Sequence, residues 1–238
     1  MVTSQPTLRA DRILAAAAEL LLRFGYKRVT IDDIATRAEV GKGTVYLHWK
    51  TKHELFAVLL RRQVAEVTRE LVAGMRADPA EVLLHRVIRA SFLTIMRRPL
   101  AKALYTRDID TLGKLAASDT GLAARQQVTD VIFDDYLDLM GSHGLLRADI
   151  DRMTRLYVLN AVGAGFYVTE QFLHEQLQEM TLEHKATALA EVIRLVFEPP
   201  GEPDPGALSA VAPQVIELFD RMRAEFDPAA WPTPQEQT

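Results

Sequence analysis

The amino-acid sequence predicts an all-α protein, and three features of its pattern support that class. Apolar residues recur at the three- and four-residue spacing of an amphipathic helix along most of the 238 residues. No segment alternates apolar and polar residues with the period of two that a half-buried strand shows. Turn signals rich in glycine and proline divide the chain into segments of helical length.

The composition is that of a folded globular protein, with 48% apolar and 25% charged residues. The absence of cysteine excludes disulfides, thiol catalysis and cysteine–zinc sites. The N-terminus has no basic start followed by an apolar run, and no apolar stretch is long enough to cross a bilayer. We therefore expect a cytoplasmic protein with no membrane partner.

Charge is distributed unevenly along the chain. Residues 1–54 carry nine Lys or Arg and six Asp or Glu, a balance of +3. Because the whole chain has a net charge of −4, the remainder carries −7. A basic N-terminal part on an acidic body suits a protein that contacts phosphate with one end only.

The N-terminal part reads as a series of short helices with recognisable ends. Gly25 is a C-terminal stop signal, and Thr30 and Thr51 are hydroxyl N-caps. A break is expected at Glu39–Gly43. The predicted helices cover about residues 8–24, 31–38, 44–49 and 52–73.

Turn signals predict five further helices, near residues 80–97, 100–113, 121–141, 150–175 and 181–197. Residues 198–206, rich in proline and glycine, read as a stiff linker, and 212–226 read as one possible helix before a loose tail. The predicted organisation is an N-terminal head at 1–54, a helical body at 55–198, and a linker, helix and tail at 199–238.

Residues 30–56 have the pattern of a helix-turn-helix. Ile34, Ala35 and Ala38 are expected to face inward, Val40 and Val45 to fill the angle between two short helices, and Trp49 to back the second one. The outward side chains of the second helix would then include no acid, and they can hydrogen-bond base edges or touch a thymine methyl in a major groove. They are Lys42, Thr44, Tyr46, Leu47 and His48.

This stretch resembles the DNA-binding domain of the TetR family of bacterial regulators. The resemblance covers about residues 8–56, and the rest of the chain is similar only in length and helical character. It is carried by Arg12–Ala17, Phe24-Gly25-Tyr26, Thr30–Ala35, Val40–Trp49 and Lys52. The resemblance implies a homodimer that places two recognition helices on a palindromic operator in double-stranded DNA, and a ligand cavity in the C-terminal body. It thus makes residues 1–54 a DNA-binding domain and residues 55–198 a ligand-binding and dimerisation domain.

The resemblance assigns base contacts to Thr44 and Tyr46, with Lys42 as a further candidate. It assigns phosphate contacts to Thr30, His48 and Lys52. Two positions depart from the family pattern: Gly41 stands where a Ser or Thr often caps the recognition helix, and Trp49 replaces a more usual Phe. The first departure affects the recognition contacts, whereas the second is a conservative change in the core.

Aromatic and polar side chains in the body are candidates for the wall of a cavity that holds an apolar ligand. Each of them is equally compatible with ordinary core packing. The candidates are Phe92, Met96, Tyr105, Phe133, Tyr136, Tyr157, Asn160 and Phe166.

Gly163 and Gly165 lie in a long apolar helix, where each glycine costs about 1 kcal/mol relative to alanine. Close contact between helices is the expected compensation. That contact lies either within one subunit or in a two-fold, four-helix dimer interface built from the helices at about 150–175 and 181–197. The sequence does not separate the two alternatives.

Catalytic and cofactor motifs are missing: there is no HExxH, nucleophile elbow, GxGxxG or Walker sequence. We therefore expect no enzyme activity, no metal and no cofactor. The sequence points to a ligand-responsive regulator, a repressor released from a palindromic operator by a small apolar or aromatic molecule. The alternative is a helical ligand-binding or protein-interaction module that no longer reads DNA.

Overall fold

A computed structural model describes residues 5–113, 115, 120–169 and 179–227, with the backbone alone at 5–7 and 120–128. No strand occurs in these residues. The helices are α1 (Gln5–Arg28), α2 (Ile31–Arg37), α3 (Lys42–His48), α4 (Lys52–Ala77), α5 (Leu84–Met96), α6 (Pro99–Tyr105), α7 (Ile109–Leu112), α8 (Thr120–Ser142), α9 (Arg152–Val168), α10 (Leu182–Phe197) and α11 (Pro205–Glu225), with a 3₁₀ turn at Pro79–Val82.

Two buried apolar cores lie at opposite ends of α4. The first half of α4 contributes Leu55, Phe56 and Leu59 to the core of the N-terminal head. Its second half contributes Leu71 and Met75 to the core of the body. The expected domain boundary after residue 54 thus falls in the first turn of a helix that belongs to both cores.

The helices α6 and α7 belong to the head core although they lie far along the chain. Leu100 and Ala103 of α6 and Leu112 of α7 are buried with the side chains of α1. At Arg107 the chain takes a left-handed conformation (φ 51°), which divides the single helix expected at 100–113 into two. The head therefore rests on the body through α6 and α7 as well as through α4.

Gly25 interrupts α1, as the sequence predicted, and one further turn follows to Arg28. Its backbone (φ 72°, ψ 158°) lies in a region that only glycine adopts readily. A Cβ atom at this position would stand 2.5 Å from the carbonyl oxygen of Asp110 in α7. Gly25 thus permits a close backbone contact between the head and α7.

The C-terminal part differs from the sequence prediction, because α11 begins at Pro205 and not at Ala212. Asp204 caps the helix by accepting from the amides of Gly206 and Ala207, and Pro205 occupies the first turn, where its missing N–H costs nothing. The proline had been read as part of a linker. α11 packs on α4 and α8, and residues 205–227 are therefore part of the body, while 228–238 lie outside the described residues.

The described helices include none that is long and apolar enough to cross a lipid bilayer. Likewise, no group of three or more potential metal ligands converges within the described ranges. The helix expected at 150–175 is seen as α9 up to Val168, and its predicted continuation at 170–175 lies outside the description.

Candidate nucleic-acid interface

The N-terminus of α2 is fixed by a capping box between Thr30 and Asp33. The Asp33 amide donates to the Thr30 hydroxyl oxygen (3.1 Å), and the Thr30 amide donates to the Asp33 carboxylate (2.8 Å). The Thr30 hydroxyl also donates to that carboxylate at 2.7 Å. The two bonds that the Asp33 carboxylate accepts, from the Thr30 hydroxyl and then from the Thr30 amide, hold the pKa of Asp33 below its usual value.

The turn between α2 and α3 is closed by Glu39, which takes a left-handed conformation (φ 54°). The Val40 amide donates to the Ala35 carbonyl oxygen at 3.0 Å, the bond that closes a Schellman-type helix end. Gly41 is the N-cap of α3 in an extended conformation and offers no side-chain cap. The predicted break through Gly43 is thus too long, because α3 begins at Lys42.

The recognition helix α3 separates its buried and outward side chains as the sequence predicted. Val45 and Trp49 are buried in the head core. Tyr46 is 46% exposed and Leu47 is 70% exposed. Thr44 and His48, predicted to be exposed, are half-buried. α3 contains no acidic residue, so its outward surface suits a negatively charged partner.

Lys42 forms an ion pair that the sequence analysis did not predict. Its ammonium donates to the Asp32 carboxylate of α2 at 2.8 Å, and both side chains are exposed. This hydrogen bond and the charge of Asp32 raise the pKa of Lys42. A base contact by Lys42 therefore requires exchange of one exposed, weak ion pair for another partner.

His48 packs beside Trp49, with 5.3 Å between the ring centroids. Burial lowers the pKa of His48, and the nearby charge of Arg9 lowers it further. The neutral imidazole is favoured, so a phosphate contact by His48 would be an N–H hydrogen bond without a full charge.

Lys52 is occupied within the head. Its ammonium donates to the carbonyl oxygens of Tyr26 (2.8 Å) and Val29 (2.9 Å) and lies 4.2 Å from the Tyr26 ring centroid. Burial lowers the pKa of Lys52. The phosphate contact implied by the resemblance is at odds with this arrangement, since the ammonium already satisfies two backbone acceptors at the α1–α2 junction.

Residues 13–59, which cover the head from α1 to the first turns of α4, match the family model described as bacterial regulatory proteins, tetR family. An uncharacterized HTH-type transcriptional regulator of Mycobacterium tuberculosis is 32% identical over 131 residues, which are 50% of this chain and 67% of the relative. The chain belongs to the TetR family. It is a DNA-binding transcriptional regulator with an N-terminal helix-turn-helix and a C-terminal helical body.

More distant TetR-family comparisons extend over the body. The HTH-type transcriptional repressor BepR of Brucella suis is 22% identical over 198 residues, 81% of this chain and 94% of BepR. The structure of NalD from Pseudomonas aeruginosa covers 83% of this chain and 100% of NalD, with a TM-score of 0.60 and 19% identity. FadR from Bacillus subtilis, solved with stearoyl-CoA, covers 77% of this chain and 96% of FadR (TM-score 0.56, 17% identity). These structures support the fold.

Part of the predicted pocket set of this TetR-family body forms one aromatic cluster. Phe92 of α5 lies 6.3 Å from Phe166 and 5.3 Å from Tyr167 of α9, and Tyr167 lies 6.0 Å from Tyr105 of α6 (ring centroids). Met96 is half-buried against the same body core. Tyr167 joins the two ends of the cluster, since its ring neighbours both Phe92 and Tyr105.

Tyr136 and Phe133 belong to another place in the core. Tyr136 is fully buried, and its hydroxyl donates to the Val82 carbonyl oxygen at 2.9 Å. Its ring centroid is 5.6 Å from that of Phe133 and 5.6 Å from that of Phe219 in α11. The Tyr136 phenol has its partner within the chain, so it does not need a ligand to satisfy it.

Tyr157 and Asn160 were expected in the pocket, and the structure corrects this. Tyr157 is 76% exposed, and Asn160 is exposed with its amide donating to the Leu156 carbonyl oxygen of its own helix. Both residues lie on the outward side of α9. The prediction was wrong because α9 is apolar on more than one face, and the sequence alone did not show which face is covered.

A hollow of about 260 Å³ opens between the start of α5, the end of α10 and the segment leading to α11. None of the eight predicted pocket residues lines it. His85 stands in its wall and is fixed by Glu198, whose carboxylate accepts from the His85 amide (2.8 Å) and lies 2.7 Å from the ring Nδ1.

Proposed function

We propose that this TetR-family regulator acts as a homodimeric repressor that leaves a palindromic operator when a small apolar or aromatic molecule binds its body. The observation that carries the DNA-binding part is the acid-free α3, with Tyr46 exposed above a buried Val45 and Trp49. The alternative of a module that no longer reads DNA is not favoured, since this outward polar surface is retained.

Within the interface, Tyr46 and Thr44 are the proposed base contacts, because α3 is the helix that enters the major groove in a helix-turn-helix. Lys42 joins them on release from Asp32. Thr30 and His48 are the proposed phosphate contacts. A contact by the Thr30 hydroxyl requires that it exchange its hydrogen bond to the Asp33 carboxylate for one to phosphate. Such a protein acts where the chromosome is, so the cytoplasm is its proposed location.

Gel-shift measurements with DNA recovered from a genomic-fragment pull-down test this proposal. Tyr46→Ala and Thr44→Ala should each abolish specific binding while leaving the unfolding temperature unchanged, since neither side chain is buried in the head core. Val131→Ala, an exposed position on α8, is the matched control and should bind normally. Unchanged operator affinity in both α3 variants would contradict the proposal.

The dimer interface is supported by an exposed apolar surface on α9 and α10. Met153 and Tyr157 on α9 and Leu195 on α10 are 71%, 76% and 74% exposed. Val192 and Ala161 extend the same outward surfaces at helical spacing. Isolated large apolar side chains are common at a surface, but several on two adjacent helices mark an interaction site.

The glycines of α9 favour the interface over packing within one subunit. A Cβ atom added to Gly163 or Gly165 would meet nothing within 4 Å in the part of the chain that the structure describes. The subunit itself therefore does not require a missing side chain at either position. Close approach of the α9 helix from a second copy would account for Gly165, which lies one turn after Ala161 on the same face, and this supports a two-fold four-helix arrangement. Gly163 points to another side of α9 and is not explained by this contact.

The aromatic cluster is the proposed effector site, and α6 is the proposed link from it to the DNA. Tyr105, at the end of α6, is 44% exposed beside Tyr167. Leu100 and Ala103 of the same helix are buried in the head core. A ligand that binds better to one position of Tyr105 therefore also favours one position of the head relative to the body. Operator affinity then changes because ligand binding and DNA binding are linked through that position.

A further inference from the structure

The outward surface of α3 contains two residues that are locally unfavourable. Leu47 is 70% exposed, more than any other large apolar side chain described in α1 to α4. Gly43, one turn earlier, is the second residue of α3, and glycine has a lower helix propensity than alanine. Gly43, Tyr46 and Leu47 are spaced three and four residues apart and share one face.

No contact among the described residues explains the choice of Gly43 or of Leu47. A Cβ atom at Gly43 would meet nothing within 4 Å, and its backbone is not in the left-handed region. Leu47 is outward while Val45 and Trp49 supply the apolar contacts of α3 to the head core. Both residues are accounted for if a partner covers this face, approaches the backbone at Gly43 and offers Leu47 an apolar contact.

The partner of this face is duplex DNA, and its major groove restricts what Leu47 can contact. Among the base edges there, the C5-methyl group of thymine is the apolar group. We infer that Leu47 reads a thymine methyl in each half of the operator, with Gly43 allowing the close approach. This inference rests on the proposed DNA-binding role of α3 and adds a specificity-determining residue to it.

The test begins with selection of an operator from a random duplex library by the purified full-length chain. Each thymine of the half-site is then replaced by deoxyuridine, which removes the methyl group and keeps every hydrogen-bonding group. For the wild-type chain, one such replacement should weaken binding about fourfold, the value expected for one buried methyl group, and about 15-fold when both half-sites are changed.

Leu47→Ala should bind the thymine operator more weakly and should no longer distinguish thymine from deoxyuridine at that position. Leu22→Ala is the matched control, because Leu22 is an exposed leucine of α1 outside α3; it should keep the full discrimination. Both variants should unfold at the wild-type temperature. Gly43→Ala should weaken operator binding without loss of stability, and unchanged affinity would contradict the close approach.

The inference is overturned if Leu47→Ala still distinguishes thymine from deoxyuridine at that position, or if the wild-type chain binds every deoxyuridine operator as tightly as the thymine operator. In those cases operator binding itself persists, so the proposed function stands. If the library yields no enriched sequence, the proposed DNA-binding function fails, and the role of Leu47 fails with it.

Discussion

The ammonium of Lys52 lies 2.8 Å from the Tyr26 carbonyl oxygen and 4.2 Å from the centroid of the Tyr26 ring. One residue thus joins the first turn of α4 to the end of α1, and its second bond, to Val29, fixes the residue before the α2 cap. The head is held to the helix that leads into the body by a group that the family resemblance had assigned to phosphate.

Lys52→Met should lower the unfolding temperature and weaken operator binding without changing the salt dependence of that binding. A lysine that neutralises a phosphate contributes about 0.9 to the slope of log affinity against log salt concentration, whereas one that bonds carbonyls contributes nothing to it. Titrations at several salt concentrations measure this. Lys50→Met, which removes an exposed ammonium nearby, is the comparison. If Lys52→Met lowered the slope of log affinity against log salt concentration, Lys52 would contact phosphate after all.

Gly25→Ala should destabilise the protein by about 2 kcal/mol or more, because the added Cβ meets a backbone oxygen and the left-handed φ is strained. Gly74→Ala, in the last turn of α4 and with no described atom within 4 Å of the added Cβ, should instead raise stability by up to about 1 kcal/mol. Urea unfolding should show that the free energy of unfolding falls in Gly25→Ala and rises in Gly74→Ala. Equal effects would argue against the contact between Gly25 and Asp110.

Tyr136→Phe should cost about 1 kcal/mol of stability, since it leaves the buried Val82 carbonyl without its donor. Tyr157→Phe should cost nothing measurable, because that phenol is at the surface. Thermal unfolding distinguishes the two positions. If Tyr136→Phe proved neutral, the Val82 bond would not be the reason for a tyrosine at the centre of the body.

Tyr157→Glu or Leu195→Glu should shift the protein from dimer to monomer, because either places a charge in the proposed apolar interface. Analytical ultracentrifugation measures the oligomeric state of each variant. Val131→Glu, also at an exposed apolar position, should leave the assembly unchanged. A wild-type chain that sediments as a monomer would contradict the interface on α9 and α10.

Acid should weaken the start of α2. The folded-state pKa of Asp33 is lowered by Thr30, so its stabilising effect is complete above the pKa of the unfolded chain, about 3.9. It is lost as the pH falls through the lowered folded value. The stability difference between wild type and Asp33→Ala should therefore be constant from pH 7 to pH 5 and shrink toward pH 2; a difference that persists at pH 2 would exclude the carboxylate as its source.

Features that depend on neighbours in sequence were determined by the sequence itself. The caps at Thr30 and Thr51, the break at Gly25 and the buried face of Val45 and Trp49 follow from residue type and helical spacing, and the structure confirms them. The family motif consists of the same local features, and the sequence alone therefore predicted the DNA-binding head.

Only the tertiary structure decided which partner each remaining polar or apolar group has. The carbonyl oxygens that accept from Lys52 lie 23 and 26 residues away in the chain, and the one that accepts from Tyr136 lies 54 residues away. The outward position of Tyr157 and the joining role of Tyr167 likewise depend on which face of α9 meets α5, α6 and α10. A period of 3.6 residues marks an apolar face, but the contact that covers it is set by helices distant in sequence, whose packing no local pattern encodes.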